Sequence, residues 1–367
     1  MWTEQQTEKG AELRIISHHA SGVVRPSLSV PHLSPSAGAP LPSLPPTVRD
    51  VDVPPLFREQ FILSGYRPVD LSWRCYVLSL FQIHNETLSV WSHLLAAVYV
   101  LVRFLMFTGP EGQGFSVDVS SLPLVLYVFS AVTYLKLLVA ALQFTLLHSR
   151  ADAPLALFFL EHVGVAVYQY GCALALCLYS SDTGWTQSML GQIFLPVVAV
   201  VVWLSCIICC YTDLHFHRPY LWHRRICQVV PMGVAYLLVI SPVTHRLASH
   251  NWTNTSTLPL HFLQVALFLL SAVFFSCPVP ECFSPGRYDI IGHSRQLFHI
   301  LLSICTLVQQ EALFEDFLWR RQALVREFGE ERLLLACASF LGLTLCCVMT
   351  ALVIKRRTHV QLLQEGR

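Results

Sequence analysis

The chain has 367 residues, 54% of them hydrophobic and 13% charged, with a mean hydropathy of +0.53; soluble domains carry about 25% charged residues. A net charge of +1 supplies no field that would draw a nucleic acid, so none is expected as a partner. An ordinary soluble domain is excluded as well, because the apolar residues come in runs near twenty residues long, the length that crosses a ~30 Å hydrocarbon layer at about 1.5 Å per residue.

The chain opens Met1-Trp2-Thr3-Glu4 without a basic region followed by an apolar core, so no signal peptide is expected and the first membrane helix takes over targeting. Residues 1–55, rich in Pro and Ser from 21 onward, are expected to be a disordered cytoplasmic tail. Residues 56–88 are expected to form a cytoplasmic segment that precedes the membrane. Eight spans follow, at 89–108, 122–147, 157–180, 192–211, 227–247, 260–278, 295–314 and 332–354. Pro231 and Pro242 interrupt the fifth. The seventh begins among polar residues, so its first turns are expected to line a cavity. Residues 315–331 read as a loop, 89–354 as the transmembrane domain and 355–367 as a cytoplasmic tail. The fold class is therefore all-α, a polytopic membrane helix bundle.

Two patterns orient it. The connection 212–226 holds Arg218, Arg224 and Arg225, and the C-terminal flank holds Lys355, Arg356 and Arg357, whereas connections 109–121 and 181–191 hold no Lys or Arg. Basic segments stay inside, which places both termini in the cytoplasm. The connection 248–259 carries two glycosylation sequons, at Asn251 and Asn254, and lies outside in the same topology. A third, at Asn85, falls inside. A cytoplasmic N-terminus excludes a conventional seven-helix G-protein-coupled receptor. The 13 cysteines lie mostly within the apolar runs, and the Cys206/Cys209 CxxC reads as small apolar side chains of a lipid-facing helix rather than a redox motif.

Two polar stretches are distinctive. One is Ser64-Gly65-Tyr66-Arg67 with Leu80-Phe81-Gln82-Ile83-His84-Asn85-Glu86-Thr87 and Trp91-Ser92-His93. The other is Pro280-Glu281-Cys282-Phe283-Ser284-Pro285-Gly286-Arg287-Tyr288-Asp289 with Gly292-His293-Ser294-Arg295-Gln296-Leu297-Phe298-His299. Together they resemble the progestin and adipoQ receptor family over roughly residues 52–354. Phe159-Leu160 through Gly171, Ile226 to Pro231 and Phe274 to Glu281 resemble its progestin-receptor branch. The resemblance implies a seven-helix core plus a C-terminal eighth span. It also implies a plasma-membrane steroid receptor that binds a progestin and signals rapidly without transcription, with an inhibitory heterotrimeric G protein and membrane lipids as partners, as in oocyte maturation by related receptors.

The wider family resembles zinc hydrolases. The resemblance implies three His ligands, one late in the second span and two in an HxxxH opening the seventh, with an Asp early in the third holding a metal-bound water. Three imidazoles would leave zinc one open position for that water. Here Arg295 stands at the first HxxxH position, no His falls between Leu142 and Thr145, and Glu161 replaces the Asp. Only His299 matches. A guanidinium offers no lone pair and repels a cation, so no metal is expected and the sequence weighs against an enzyme. His148, Glu161, His162 and His299 are the residual metal candidates. In place of the ion, Glu161 and Arg295 are expected to form a bidentate pair.

Lys136, midway along the second span, and Gln169 in the third are candidate ligand contacts. Trp91 reads as an interfacial anchor. His245 and Arg246 read as a pair snorkelling at the outer end of the fifth span. Two other functions compete with the receptor: a zinc-dependent, ceramidase-like lipid hydrolase, which an intact HxxxH would favour, and a non-signalling membrane adaptor, which surface expression without saturable ligand binding would favour.

Overall fold

The computed structural model describes residues 44–54, 57–109, 118–144, 152–215, 222–249 and 256–365. All lie in the compact unit Ser43–Arg367. Residues 1–43 of the expected tail 1–55, the metal candidate His148 and the sequons at Asn251 and Asn254 lie outside the described residues.

A short helix α1 (Trp73–Leu78) precedes the membrane helices α2 (Thr87–Thr108), α3 (Leu122–Phe144) and α4 (Asp152–Ala175). A buried π turn at Leu176–Ser180 extends α4. There follow α5 (Thr183–Gln187), α6 (Met189–His215), α7 (Trp222–Val239), α8 (Ser241–Ala248), α9 (Leu258–Ser276), α10 (Ser294–Phe328) and α11 (Glu330–Glu365). Among the described residues, seven helices are long and apolar enough to cross a membrane, and α7 with α8, bent by 51° at the break, counts as an eighth if the pair is one span. The chain is a multi-pass membrane protein.

Two expectations change here. Pro231 lies within an unbroken α7, and the bend falls at Ile240, where Pro242 opens α8. Proline fits the first turn of a helix because that N–H has no intrahelical acceptor. The stretch 315–331 is no loop: α10 runs for 35 residues to Phe328, and Gly329 (φ 76°) turns the chain into α11. Mixed charge hid that helix from a hydropathy reading.

Helix α4 is the most enclosed span, with 83% of its apolar window buried. It packs against α3, α6 and α11. Gly171 permits the α3 contact, since a Cβ there would stand 2.3 Å from Ser130 Oγ. The eighth span α11 covers α4 and α6 from behind, burying Phe340 and Cys347. Cys206 and Cys209 are buried within the bundle rather than facing lipid, and all 13 cysteines are free thiols.

The segment before α2 packs onto one end of the bundle. Val53, Ile62, Tyr66 and Tyr76 form its small core, against which Phe144 of α3 rests. Gly65 (φ 85°) makes the turn, and a Cβ there would meet Ile290 Cδ1 at 2.5 Å. The Gly65 carbonyl accepts the Asn85 N–H at 2.9 Å. Arg67, 2% exposed, donates to the Leu142 carbonyl (2.5 Å) and the Gln143 carbonyl (3.1 Å) at the end of α3. The guanidinium thus holds two carbonyls of the last described turn of α3. Leu63 N–H and Ser64 Oγ donate to Asp289 at 3.1 and 2.6 Å, tying the segment to the turn before α10.

Candidate functional site

A cavity of ≈ 460 Å³ lies between α3, α4, α6, α7, α9 and α10, and residues 57–67 with Asn85 and Glu86 close one end. Its walls are largely apolar, among them Tyr134, Leu138, Met232, Phe268, Phe275 and Leu302. Helix α10 contributes Arg295, His299, Leu302, Thr306 and Gln309 to the lining. Steps of three and four residues keep these side chains on one helical face.

The closed end is charged. Arg295 pairs with Glu59 through Nη1, and its Nε stands 3.3 Å from Glu86 Oε1. The expected Glu161–Arg295 pair is therefore replaced: among the described residues, the ion pairs of Arg295 are with Glu59 and Glu86. Glu161 lines the same cavity without reaching the guanidinium. Arg295 is 45% exposed, and that surface faces the cavity it lines. Burial raises the Glu59 carboxyl above the usual carboxylate range, although Arg295 pulls it down. Glu86 goes the other way: burial would raise it too, but the charges of Arg295, His299 and His293 hold it well below that range. Sequence reasoning missed Glu59, because nothing local marks it; its partner comes 236 residues later.

A chain of polar groups continues inward. His299 Nδ1 and His93 Nε2 are 2.8 Å apart, and His93 Nδ1 is 2.9 Å from Ser303 Oγ. The Asn85 carbonyl accepts from His293 Nε2 (3.0 Å) and Gln296 Nε2 (2.7 Å). Asn85 is 4% exposed, which closes that third sequon to modification. Trp91 donates Nε1–H to the Leu80 carbonyl at 2.9 Å, so it braces the turn before α2.

The resemblance implies a zinc site here, and the residues do not fit one. Arg295 fills the first ligand position with a cation already paired to two carboxylates. His299 shares its Nδ1 with His93. Gln143, beside the expected position of the second-span His, turns its amide toward the Tyr76 carbonyl and Ser79 Oγ. Among the described residues, no three His, Cys, Asp or Glu groups are placed to hold a metal ion. His162 is engaged elsewhere, 2.6 Å from Asp213 Oδ2.

Of the two candidate ligand contacts, Gln169 lines the cavity and Lys136 does not; Lys136 sits on the exposed face of α3. A mid-span lysine on that face can extend its ammonium toward the interface. Arg246 also departs from expectation. It is 5% exposed and donates to both Asp316 carboxylate oxygens, at 3.0 and 3.2 Å, while His261 Nε2 lies 2.8 Å from the same carboxylate. His245 pairs with Asp182 at 3.0 Å.

The sequence profile of haemolysin-III related proteins matches residues 81–310. Human membrane progestin receptor beta is 44% identical over 328 residues, covering 89% of this chain and 91% of its own. Membrane progestin receptor alpha of Cynoscion nebulosus is 41% identical, with coverage of 92% and 94%. Its human counterpart is 43% identical, with coverage of 75% and 78%.

Proposed function

The chain belongs to the haemolysin-III related family, and on that premise we propose that it is a membrane steroid receptor that takes a progestin into the cavity between α3, α4, α6, α7, α9 and α10. The names of its similar relatives support the ligand class. The observation that carries the reading is the cavity itself. A volume of ≈ 460 Å³ lies within the ~300–1,000 Å³ of small-molecule sites. Aromatic and aliphatic walls suit a rigid, mostly apolar ligand, and the few polar side chains suit its oxygens. The charged end is already neutralised internally, so it does not call for an anionic ligand.

Plasma-membrane residence, cytoplasmic termini, glycosylation at Asn251 and Asn254, and rapid signalling through an inhibitory G protein belong to the same proposal. The hydrolase reading is disfavoured by Arg295, whose charge occupies the place a metal ligand would need.

Saturation binding of a labelled progestin to membranes expressing the chain, beside untransfected membranes, tests the reading. Saturable binding at nanomolar steroid is expected. Expression at the cell surface without saturable binding would overturn the receptor and favour the adaptor.

A further inference from the structure

Gln309 lies in the middle of α10, fourteen residues beyond Arg295 on the cavity-lining face, which is about 21 Å along the helix axis. It is 8% exposed, and its amide is held from one side. Tyr168 Oη donates to Gln309 Oε1 at 2.8 Å, and Cys172 Sγ donates to the same oxygen at 3.6 Å. The phenol is itself fixed: its ring stacks on Tyr134 with centroids 4.8 Å apart and planes 2° from parallel, and Thr306 Oγ1 lies 3.3 Å from its oxygen. With Tyr168 and Cys172 both donating to Oε1, Nε2 is turned away from them. The Nε2 group has no hydrogen-bond partner among the described residues, and it is not among the sealed polar atoms of the structure.

An amide N–H in the apolar depth of a membrane bundle is costly to leave unmet. Polar groups at such depth usually serve a cavity or a partner. A ketone oxygen can only accept, and Nε2 can only donate. Tyr236, which also lines the cavity, has no such polarity, since a phenol donates or accepts as required.

We propose that Gln309 is the specificity residue of the cavity: its Nε2–H donates to a carbonyl oxygen at the buried end of a neutral, apolar ligand, and Tyr168 is the positioning residue that holds the amide in the donating orientation. This deepens the receptor reading and rests on it. The ligand class that follows is a steroid bearing a ketone at one end, with its flat face available to the Tyr134–Tyr168 pair. A site built to donate rejects an analogue that lacks the acceptor, because the donor is then left unpaired.

The test is competition binding on membranes with equal surface expression, using progesterone, the two analogues that each lack one of its ketones, and the alcohols formed by reducing each ketone. In the wild type, removal of the ketone that Gln309 holds weakens binding about tenfold, as one hydrogen bond does. Gln309→Leu weakens progesterone by a similar factor, and that one ketone ceases to matter while the other keeps its effect. Tyr168→Phe preserves the ring stack but frees the amide to turn, so discrimination between the ketone and its alcohol falls while overall affinity changes little. The proposal is overturned if Gln309→Leu binds progesterone as the wild type does, or if each ketone counts as much in the variant as in the wild type. Should Gln309→Leu fail to reach the surface, unchanged ketone-over-alcohol preference in Tyr168→Phe overturns it. Absence of saturable progesterone binding in the wild type overturns the receptor reading and this inference with it.

Discussion

Arg295 carries a permanent charge into a place where the family resemblance calls for an imidazole, and two carboxylates meet it there. Its 45% exposure to the cavity weakens the pairing relative to a sealed one, so Arg295→Ala is expected to cost about 2 kcal/mol rather than the ~3–5 of a fully buried pair. Thermal unfolding in detergent measures this, and a midpoint equal to that of the wild type would refute it. His84 gives a pH dependence. It is 1% exposed, it accepts the Glu86 N–H on Nδ1 at 3.1 Å, and burial, aided by the Arg67 charge, lowers its pKa to about 3. An unfolded histidine titrates near 6.5. The unfolded chain therefore binds more protons between those values, and stability that is full above pH ~6.5 is lost as pH falls through that window. By about pH 5 the loss is ~2 kcal/mol. His84→Gln keeps an acceptor for the Glu86 N–H without gaining charge, so the drop in melting temperature between about pH 7 and about pH 5 should shrink. Equal drops in both proteins would count against a neutral buried His84.

The elements meet through a few sequence-encoded contacts. Arg67 binds the segment before α2 to the end of α3. Replacing it with Met removes its charge-assisted hydrogen bonds to the Leu142 and Gln143 carbonyls, at about 1–3 kcal/mol, and loosens the wall formed by residues 57–67. Limited proteolysis of that segment, faster in Arg67→Met than in the wild type, is the expected readout. Most spans were legible because a run of twenty apolar residues has few other fates. The second half of α10 was not, since Asp316, Arg320 and Glu327 break its apolar run. They do so because they pair inside the protein: Arg320 donates to Glu327 at 3.0 Å and is 6% exposed. Composition cannot tell such a helix from a solvated loop.

Across the molecule, the legible features were the local ones. Glu86 and Arg295 stood out in the sequence as polar residues flanking apolar runs, but their union with Glu59 depends on packing the segment before α2 against α10. The Arg246–Asp316 pair spans 70 residues in the same way. With Asp316 at 1% exposure and His261 on its other oxygen, Asp316→Asn should cost about 3–5 kcal/mol by leaving a buried guanidinium without its counter-charge. Surface expression would then fall, and a second change, Arg246→Met, should recover part of it. No recovery would mean that the carboxylate matters for something other than neutralising Arg246.

The Glu59–Arg295–Glu86 cluster has a consequence for how the protein matures. A metal-centred bundle must wait for its ion, and its folding follows the supply of that ion in the cell. Here a guanidinium encoded in the chain stands at the first ligand position and arrives with translation, so assembly is expected not to follow the supply of an ion. Chelators added during expression or to the purified protein should leave the melting temperature unchanged.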